Sequence, residues 1–342
     1  MVGIRADANE EISIGHLMRC LSIADELRIM GETVVFLTSD IAAGDIIIER
    51  GHKNISLTND YKNKDAEIER IAAEIKKHNI SRFLLDSYEV TPKYMESLCN
   101  LVPLVYIDDI VNFAYQANVI VNYAAEANRS LYLNCCCDDY LLGSRYAPIR
   151  REFRQTRRYK NSGIKSVFIS SGGSDHYDMV IRIVENILCN TALETIFMNV
   201  VVGKYYKNND KLDSIARENS HRMKIYHNIQ DVWNVMAQSD LAISASGTTV
   251  AELCTMGIPV INYITADNQK NGVNSLLRNH ALVYAGDVRE GINGVTGKII
   301  ESIHKFIDKE IDYEFYSGKG REMYDGLGAK RIAEKIAGIG HA

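Results

Sequence analysis

The amino-acid sequence predicts an α/β protein with two doubly wound domains. Short apolar runs alternate with helical patterns almost throughout, which is typical of βαβ units and parallel sheets. The alternation is interrupted near residues 148–165 by the basic, polar stretch PIRREFRQTRRYKNSGIK, and it restarts beyond that stretch. With 342 residues, the chain is long for one hydrophobic core and comfortable for two.

The first half opens with the predicted strand MVGIRAD, followed by a helix whose apolar face runs from Leu17 to Leu27. Gly31 stands where the C-terminus of this helix is expected. TVVFLTSD predicts a second strand with a short helix after it, and the amphipathic stretch DAEIERIAAEIKKHN predicts a third helix. The runs RFLLDS, LVYIDD and NVIVNYA predict further strands.

The second half begins with KSVFISSGGSD, which predicts a strand that leads into a glycine-containing loop. ETIFMNVVVG, MKIYHN, LAISAS and PVINYI predict the next strands, with helices between them. We therefore expect an N-terminal α/β domain at residues 1–150 and a C-terminal α/β domain at 165–310, joined by a linker at 151–164. A helical tail at 311–342 is expected to pack back on the domains.

The composition argues against several classes of function. A net charge of −5 does not favour nucleic-acid binding driven by bulk electrostatics. No apolar run is long enough to span a bilayer and no N-terminal signal segment is visible, so we expect a cytoplasmic protein without stable membrane insertion. The seven cysteines lack the spacing of zinc sites, and we expect reduced thiols and no metal site.

Two loops after predicted strands of the second half contain residues suited to a phosphate group. In open parallel sheets, ligands bind beyond the carboxyl ends of the strands. Gly172 and Gly173, in SGGSD, allow close approach of the backbone to a ligand, although a plain tight turn explains them equally well. Ser246, Gly247 and Thr248, in SASGTTVAEL, offer hydroxyls and amides at a helix start, where an ordinary helix cap is the alternative.

Polar side chains near these loops could bind the rest of a nucleotide sugar. Glu252 lies about one turn inside the helix that follows SASG, where its carboxylate could accept both hydroxyls of a ribose or simply face solvent. Asp267, Asn268 and Gln269, in ITADNQKNGVNSL, follow the next strand. Such side chains bind sugar hydroxyls or N-acetyl groups, but they are also common helix caps.

A glycine–histidine pair stands at the start of the first predicted helix, in ISIGHLMRC. The positive end of the helix dipole disfavours an imidazolium, so His16 would tend to stay neutral and able to accept a proton. Gly15 would let a sugar approach the backbone. The alternative is a histidine that caps the helix and takes no part in chemistry.

Longer stretches of the sequence resemble known families. The run IYHNIQDVWNVMAQSDLAISASGTTVAELCTMGIPVINYI and the later DNQKNGVNSL resemble the C-terminal, UDP-binding domain of GT-B proteins such as the GlcNAc transferase of peptidoglycan synthesis. RADANEEISIGHLMRCLSIADEL, LLDSYEV, YIDD, LLGSRYAPIRREF and SSGGSD are similar, in this order, to the PseG family. The resemblance covers about residues 1–285, and spore-coat polysaccharide proteins also look like this.

The resemblance to the PseG family implies a fold and a reaction. The fold would be of the GT-B type, with two doubly wound Rossmann-like domains and a cleft between them. The reaction would be hydrolysis of a UDP-sugar by water attack at the anomeric carbon, without a metal ion or other cofactor. It would release UDP and a 2,4-diacetamido-2,4,6-trideoxyhexose in the biosynthesis of pseudaminic acid, a nonulosonic acid.

The resemblance also implies site residues. His16, Tyr88 and Asn268 correspond to the catalytic residues of the family. A second group is expected to bind substrate: Asp7, Gly15, Arg19 and Gln269. A third group is expected to bind UDP: Gly172, Gly173, Ser246, Gly247, Thr248 and Glu252, with the backbone of residues 226–229 at the uracil.

One departure and two alternatives remain at this point. The family commonly has a glycine two residues before Gly15, whereas this chain has Ser13, so that the loop and the sugar it accepts could differ. The first alternative function is a GT-B glycosyltransferase that passes a sugar from a UDP donor to an acceptor. The second is a UDP-sugar-binding subunit without chemistry of its own.

Overall fold

The computed structural model describes residues 1–7, 15–39, 41–57, 62–155, 163–173 and 175–340. The chain divides into two compact units, one formed by Met1–Arg151 with Gly326–Ala342 and the other by Glu152–Asp325. Ser13 and residues 156–162 of the predicted linker lie outside the described residues. No helix in the described ranges is long and apolar enough to cross a membrane.

Strands and helices alternate along the described part of the chain. The strands are β1 (Val2–Ala6), β2 (Val34–Thr38), β3 (Lys53–Ser56), β4 (Arg82–Asp86), β5 (Leu104–Ile107), β6 (Gln116–Asn122), β7 (Cys136–Leu142), β8 (Ser166–Ser170), β9 (Phe197–Val202), β10 (Met223–His227), β11 (Leu241–Ala245), β12 (Val260–Ile264) and β13 (Val283–Asp287). The helices are α1 (Gly15–Ile29), α2 (Ile41–Glu49), α3 (Ile68–His78), α4 (Pro92–Leu101), α5 (Arg151–Gln155), α6 (Met179–Cys189), α7 (Asn209–Glu218), α8 (Val232–Met236), α9 (Thr248–Met256), α10 (Lys270–Arg278), α11 (Ile292–Ile307), α12 (Tyr313–Met323) and α13 (Gly328–Gly338).

Each unit contains one parallel sheet. The first sheet has the order β3-β2-β1-β4-β5-β6-β7, and the second has the order β10-β9-β8-β11-β12-β13. The strand order reverses between β1 and β4 in the first sheet and between β8 and β11 in the second, as in doubly wound folds. The prediction of two doubly wound α/β domains is confirmed.

The core strands are apolar because both faces of each sheet are covered. On one face of the first sheet, side chains of β1 such as Val2 and Ile4 share a core with Leu17 and Leu21 of α1. On the other face, a separate core includes Ile71 of α3 and residues of α4. The second sheet packs against α6 and α11 in one large apolar cluster. Parallel sheets with both faces covered are expected to read as continuous apolar runs.

Three strands at sheet edges were not predicted from the sequence. They are β3, β7 and β13, and most of their residues are partly exposed or exposed. An edge strand has a neighbour on one side only, so its sequence lacks the long apolar run of a central strand.

The structure also differs from the prediction at the start of the linker. Helix α5 forms at Arg151–Gln155, where the sequence predicts the first residues of the linker.

The last two helices belong to different units. Helix α12 packs on α9 of the second unit, where the hydroxyl of Ser317 donates a hydrogen bond to the carbonyl of Gly257 at 2.7 Å. Helix α13 packs on α1 of the first unit, and Ile332 and Ile336 are fully buried there. The predicted tail is therefore divided between the two units.

Candidate active site

The carboxyl ends of β1 and β4 lie side by side at the point where the first sheet reverses its order. Ala6, the last residue of β1, pairs in register with Asp86, the last residue of β4. Helix α1 follows β1 and begins at Gly15, so that its first turn carries His16 towards this position. Crevices at such reversal points are the usual ligand sites of open α/β sheets.

His16 is hydrogen-bonded to Asp86. Its Nδ1 lies 2.6 Å from Oδ1 of Asp86, and both side chains are buried. Burial opposes ionisation of Asp86, but the charge of Arg19 and hydrogen bonds from Arg19 and His16 prevail and lower its pKa to about 2. An ionised carboxylate can only accept, so Nδ1 of His16 is the donor in this hydrogen bond. Nη2 of Arg19 lies 3.1 Å from the same Nδ1 and donates to the same carboxylate oxygen.

Arg19 lies one helical turn after His16 and holds Asp86 in place. Its Nε and Nη2 each donate to one carboxylate oxygen of Asp86, both at 2.5 Å. Its Nη1 donates to Oδ2 of Asp109 at 2.9 Å and to the hydroxyl of Tyr123 at 2.5 Å. A bidentate arginine–carboxylate pair fixes the orientation of the carboxylate as well as its charge, so Arg19 holds Asp86 in position to bond to His16.

Tyr88 covers one side of the His16 ring. The two rings meet edge to face, with centroids 4.4 Å apart and an interplanar angle of 83°. The Tyr88 hydroxyl donates to Oδ2 of Asp109 at 2.9 Å. Burial and the charge of Asp109 raise the pKa of Tyr88, so this hydroxyl keeps its proton and remains a donor. Tyr88 is 42% exposed, which leaves part of the ring open to a ligand.

The structure thus brings three predicted residues, His16, Arg19 and Tyr88, into one group. The group also contains Asp86, the last residue of β4, and two residues that follow strand ends, Asp109 and Tyr123; none of the three was among the predicted site residues. Asp109 and Tyr123 each follow a buried polar residue at a strand end, in the dipeptides Asp108–Asp109 and Asn122–Tyr123. Such pairs of polar residues after apolar runs are the signal from which they could have been proposed.

Asp7 belongs to a different buried group. Its Oδ1 accepts from Arg5 at 2.5 Å and from the backbone N–H of Ser39 at 3.1 Å, and its Oδ2 accepts from Lys64 at 2.5 Å. Glu67 completes the group by accepting from Arg5 Nε at 2.8 Å. These contacts place Asp7 in a buried ionic network rather than in the His16 group. Its predicted role in binding substrate remains a prediction.

The second unit presents a glycine turn at the end of β8. Gly172 has a positive φ of 85°, a conformation that glycine adopts at little cost. Gly203, just after β9, approaches this turn so closely that a Cβ on it would lie 2.6 Å from the Cα of Gly173. The backbone N–H of Tyr205 donates to the carbonyl of Gly173 at 3.1 Å. No motif in the sequence singles out Gly203, although this close approach requires a glycine there.

The loop after β11 is tied to the loop after β12. The hydroxyl of Ser246 donates to Oδ1 of the buried Asn262 at 2.9 Å. The side chain of Gln269 accepts from the backbone N–H of Thr265 at 2.8 Å and donates to the carbonyl of Ser246 at 2.9 Å. Gln269, predicted to bind substrate, thus uses its amide to hold two loops together.

The remaining predicted residues lie around these loops. Gly247 and Thr248 are exposed at the N-terminus of α9, where the first amides of a helix have no partner within the helix. Glu252 is half-buried one turn further along α9. Asn268 is exposed in the short 3-10 turn Asp267–Gln269.

Comparisons with known proteins agree with this architecture. Residues 166–309 match the C-terminal domain of glycosyltransferase family 28. An uncharacterized protein of Methanocaldococcus jannaschii is 26% identical over 94% of the chain, which spans 64% of the length of that relative.

Two solved structures have the same fold along nearly the whole chain. The glycotransferase of kitacinnamycin aligns with a TM-score of 0.69 and 13% identity, covering 98% of both chains. UDP-GlcNAc 2-epimerase from Neisseria meningitidis, solved with bound UDP-GlcNAc, aligns with a TM-score of 0.66 and 12% identity, covering 98% of this chain and 100% of that one. The chain therefore has the GT-B fold, and its residues 166–309 resemble the C-terminal domain of glycosyltransferase family 28.

Proposed function

We propose that the chain is a UDP-sugar hydrolase that releases UDP and a 2,4-diacetamido-2,4,6-trideoxyhexose. The observation that carries the proposal is the hydrogen bond between His16 and Asp86. This arrangement is that of a general base and the carboxylate that orients it. The ordered motifs that resemble the PseG family support the class of sugar. In this proposal the protein acts in the cytoplasm, in pseudaminic acid biosynthesis.

The proposed reaction needs one proton transfer at His16. Nε2 takes a proton from water while the water oxygen forms a bond to the anomeric carbon of the sugar. The bond from that carbon to the diphosphate oxygen breaks, and UDP leaves with the electron pair. Asp86 stabilises the imidazolium that forms, because it is ionised and fixed by Arg19. No step of this sequence uses a metal ion or another cofactor.

The second unit is assigned the UDP part of the substrate. Diphosphate oxygens would accept from backbone amides and hydroxyls around Gly172, Gly173, Gly247 and Thr248. Glu252 would accept from the ribose hydroxyls, and the backbone of residues 226–229 would contact uracil. Asn268 is assigned to the sugar, because it is exposed and immediately precedes Gln269, which joins the loops after β11 and β12.

Phosphorus NMR of the purified protein tests this proposal. The protein is incubated with UDP-2,4-diacetamido-2,4,6-trideoxy-β-L-altropyranose, without an acceptor and with EDTA present. We expect free UDP to appear with the wild-type protein and not with His16→Gln, which should still bind UDP in calorimetry. Turnover at the wild-type rate in His16→Gln would overturn the assignment of the base.

A glycosyltransferase is the second candidate, because residues 166–309 match a glycosyltransferase domain. It would use the same donor site and pass the sugar to a hydroxyl other than water. A substrate that binds but stays intact in the NMR experiment would favour this candidate. Binding without turnover in the presence of acceptor alcohols as well would favour a UDP-sugar-binding subunit.

A further inference from the structure

Asp109 is connected to His16 by two separate routes. Its Oδ2 accepts one hydrogen bond from Arg19 and one from the hydroxyl of Tyr88, each at 2.9 Å. Arg19 in turn holds Asp86, which is bonded to Nδ1 of His16. Tyr88 lies edge to face against the His16 ring. The Asp109 carboxylate is thus linked to His16 through Arg19 and Asp86 on one route and through Tyr88 on the other.

We propose that Asp109 is a positioning residue for His16, which holds Tyr88 against the imidazole and shares the charge of Arg19 with Asp86. This inference rests on the proposed function, because it assigns a role within the same site. The Asp109 carboxylate contacts Arg19 and Tyr88 and not the imidazole itself. Its effect on the reaction passes through Arg19 and Tyr88.

The chain holds Asp109 firmly through the residue before it. Asp108 is buried and accepts from the hydroxyls of Tyr132 at 2.6 Å and Tyr115 at 3.0 Å. It also accepts from the backbone N–H groups of Ile110 and Val111, at 3.2 and 3.1 Å. These bonds fix the loop after β5, so the Asp109 carboxylate is preorganised between its two donors.

The charges near His16 predict in which direction each substitution should change the stability of its imidazolium form. Among the described residues, the titratable and charged side chains that contact the imidazole or its hydrogen-bond partners are Asp86, Arg19, Tyr88, Asp109, Tyr123 and Cys20. Among these, Arg19 is one positive charge between the carboxylates of Asp86 and Asp109. Removal of the Asp109 charge makes the surroundings of His16 less negative and disfavours its imidazolium, whereas removal of the Arg19 charge does the opposite.

The two substitutions Asp109→Asn and Arg19→Gln therefore form the test. We expect the acid limb of the kcat/KM profile to move to lower pH in Asp109→Asn and to higher pH in Arg19→Gln. The pH midpoint of the His16 ring signals in nitrogen-edited NMR should move in the same two directions. Glu96→Gln, which removes an exposed charge from α4, is the matched control and should leave both measurements unchanged.

A third variant separates charge from placement. Asp109→Ala also removes the acceptor of the Tyr88 hydroxyl, and we expect kcat to fall by about tenfold to a hundredfold with little change in KM. Asp109→Asn keeps an acceptor oxygen, so its loss of kcat should be smaller. Equal losses in the two variants would overturn the part of the proposal that concerns Tyr88.

The NMR measurement needs no substrate, so it distinguishes failure of this inference from failure of the proposed function. If the protein does not hydrolyse the UDP-sugar but the His16 midpoints still move in opposite directions, the proposed reaction is wrong and the role of Asp109 stands. If the midpoints stay unchanged or move in the same direction in both variants, the inference is wrong even for an active hydrolase.

Discussion

Gly203 and Gly173 are in direct backbone contact at the carboxyl edge of the second sheet. A Cβ on Gly203 would lie 2.6 Å from the Cα of Gly173 and 2.8 Å from its carbonyl oxygen. Real Cβ atoms do not come this close to backbone, so any other residue at position 203 must push the turn away. The turn is the one assigned to the diphosphate, and its shape depends on a glycine 30 residues further along the chain.

Gly203→Ala should weaken UDP binding because it displaces this turn. We also expect the free energy of unfolding to fall by about 1–3 kcal/mol, as for overpacking at a tight contact. Calorimetry with UDP and chemical denaturation measure the two effects. Gly297→Ala is the control, since Gly297 lies in α11 with nothing near its would-be Cβ and the change should be neutral or slightly stabilising. UDP affinity equal to wild type in Gly203→Ala would argue against a diphosphate at this turn.

The hydrogen bonds that Asp86 accepts from His16 and Arg19 should make the free energy of unfolding depend on pH in the acid range. The pKa of Asp86 is about 2 in the folded protein and about 4 in an unfolded chain, so folding favours the ionised form. Its contribution of about 2–3 kcal/mol is present above pH ~4 and is lost as the pH falls towards ~2. Urea denaturation of wild type and Asp86→Asn at several pH values measures this. The difference in stability between the two should shrink over that window; a constant difference would contradict it.

The buried ionic network of Arg5, Asp7, Lys64 and Glu67 should be costly to break. Lys64→Met leaves Asp7 without the ammonium group at 2.5 Å, and we expect a loss of about 3–5 kcal/mol in unfolding free energy. Chemical denaturation measures the loss. Lys77→Met is the matched control: its side chain is 67% exposed, and its removal should change stability by less than about 0.5 kcal/mol. Similar values for the two lysines would mean that the network contributes little.

The neighbours Asn268 and Gln269 should respond differently to removal of their side chains. Gln269→Ala breaks the hydrogen bonds that join the loops after β11 and β12, so unfolding free energy should fall by about 1–3 kcal/mol. Asn268→Ala removes an exposed side chain, so turnover should fall while stability changes by less than about 0.5 kcal/mol. Thermal denaturation and the NMR assay, run on both variants, give the comparison. A larger loss of stability in Asn268→Ala than in Gln269→Ala would contradict the assignment of Gln269 to loop stability and of Asn268 to the sugar.

The sequence predicted the central strands and most of the helices correctly. Strands such as β1, β4 and β11 are buried on both faces, and this burial requires the continuous apolar runs from which they were predicted. The strands β3, β7 and β13 lie at sheet edges and most of their residues are at least partly exposed, so they lack the continuous apolar run by which the other strands were predicted. These edge strands can be assigned only once the strand that each pairs with is known.

The candidate site was predictable in part for a similar reason. His16, Arg19 and Tyr88 lie in motifs that follow strand ends, and the structure brings them together. Arg5 and Glu67 are 62 residues apart, and their pairing leaves no local pattern in the sequence. The role of Asp109 likewise depends on two donors from separate elements, which only the folded chain brings together.

The position of helix α13 has a consequence for synthesis of the chain on the ribosome. The second unit is contiguous from Glu152 to Asp325, whereas the first unit lacks part of its core until Gly326–Ala342 has been made. Until then, the face of α1 that contacts Ile332 and Ile336 has no cover. Domains tend to fold as units while the chain emerges, so here the half that is translated second can complete its fold first. The half translated first stays partly uncovered until helix α13 has been made.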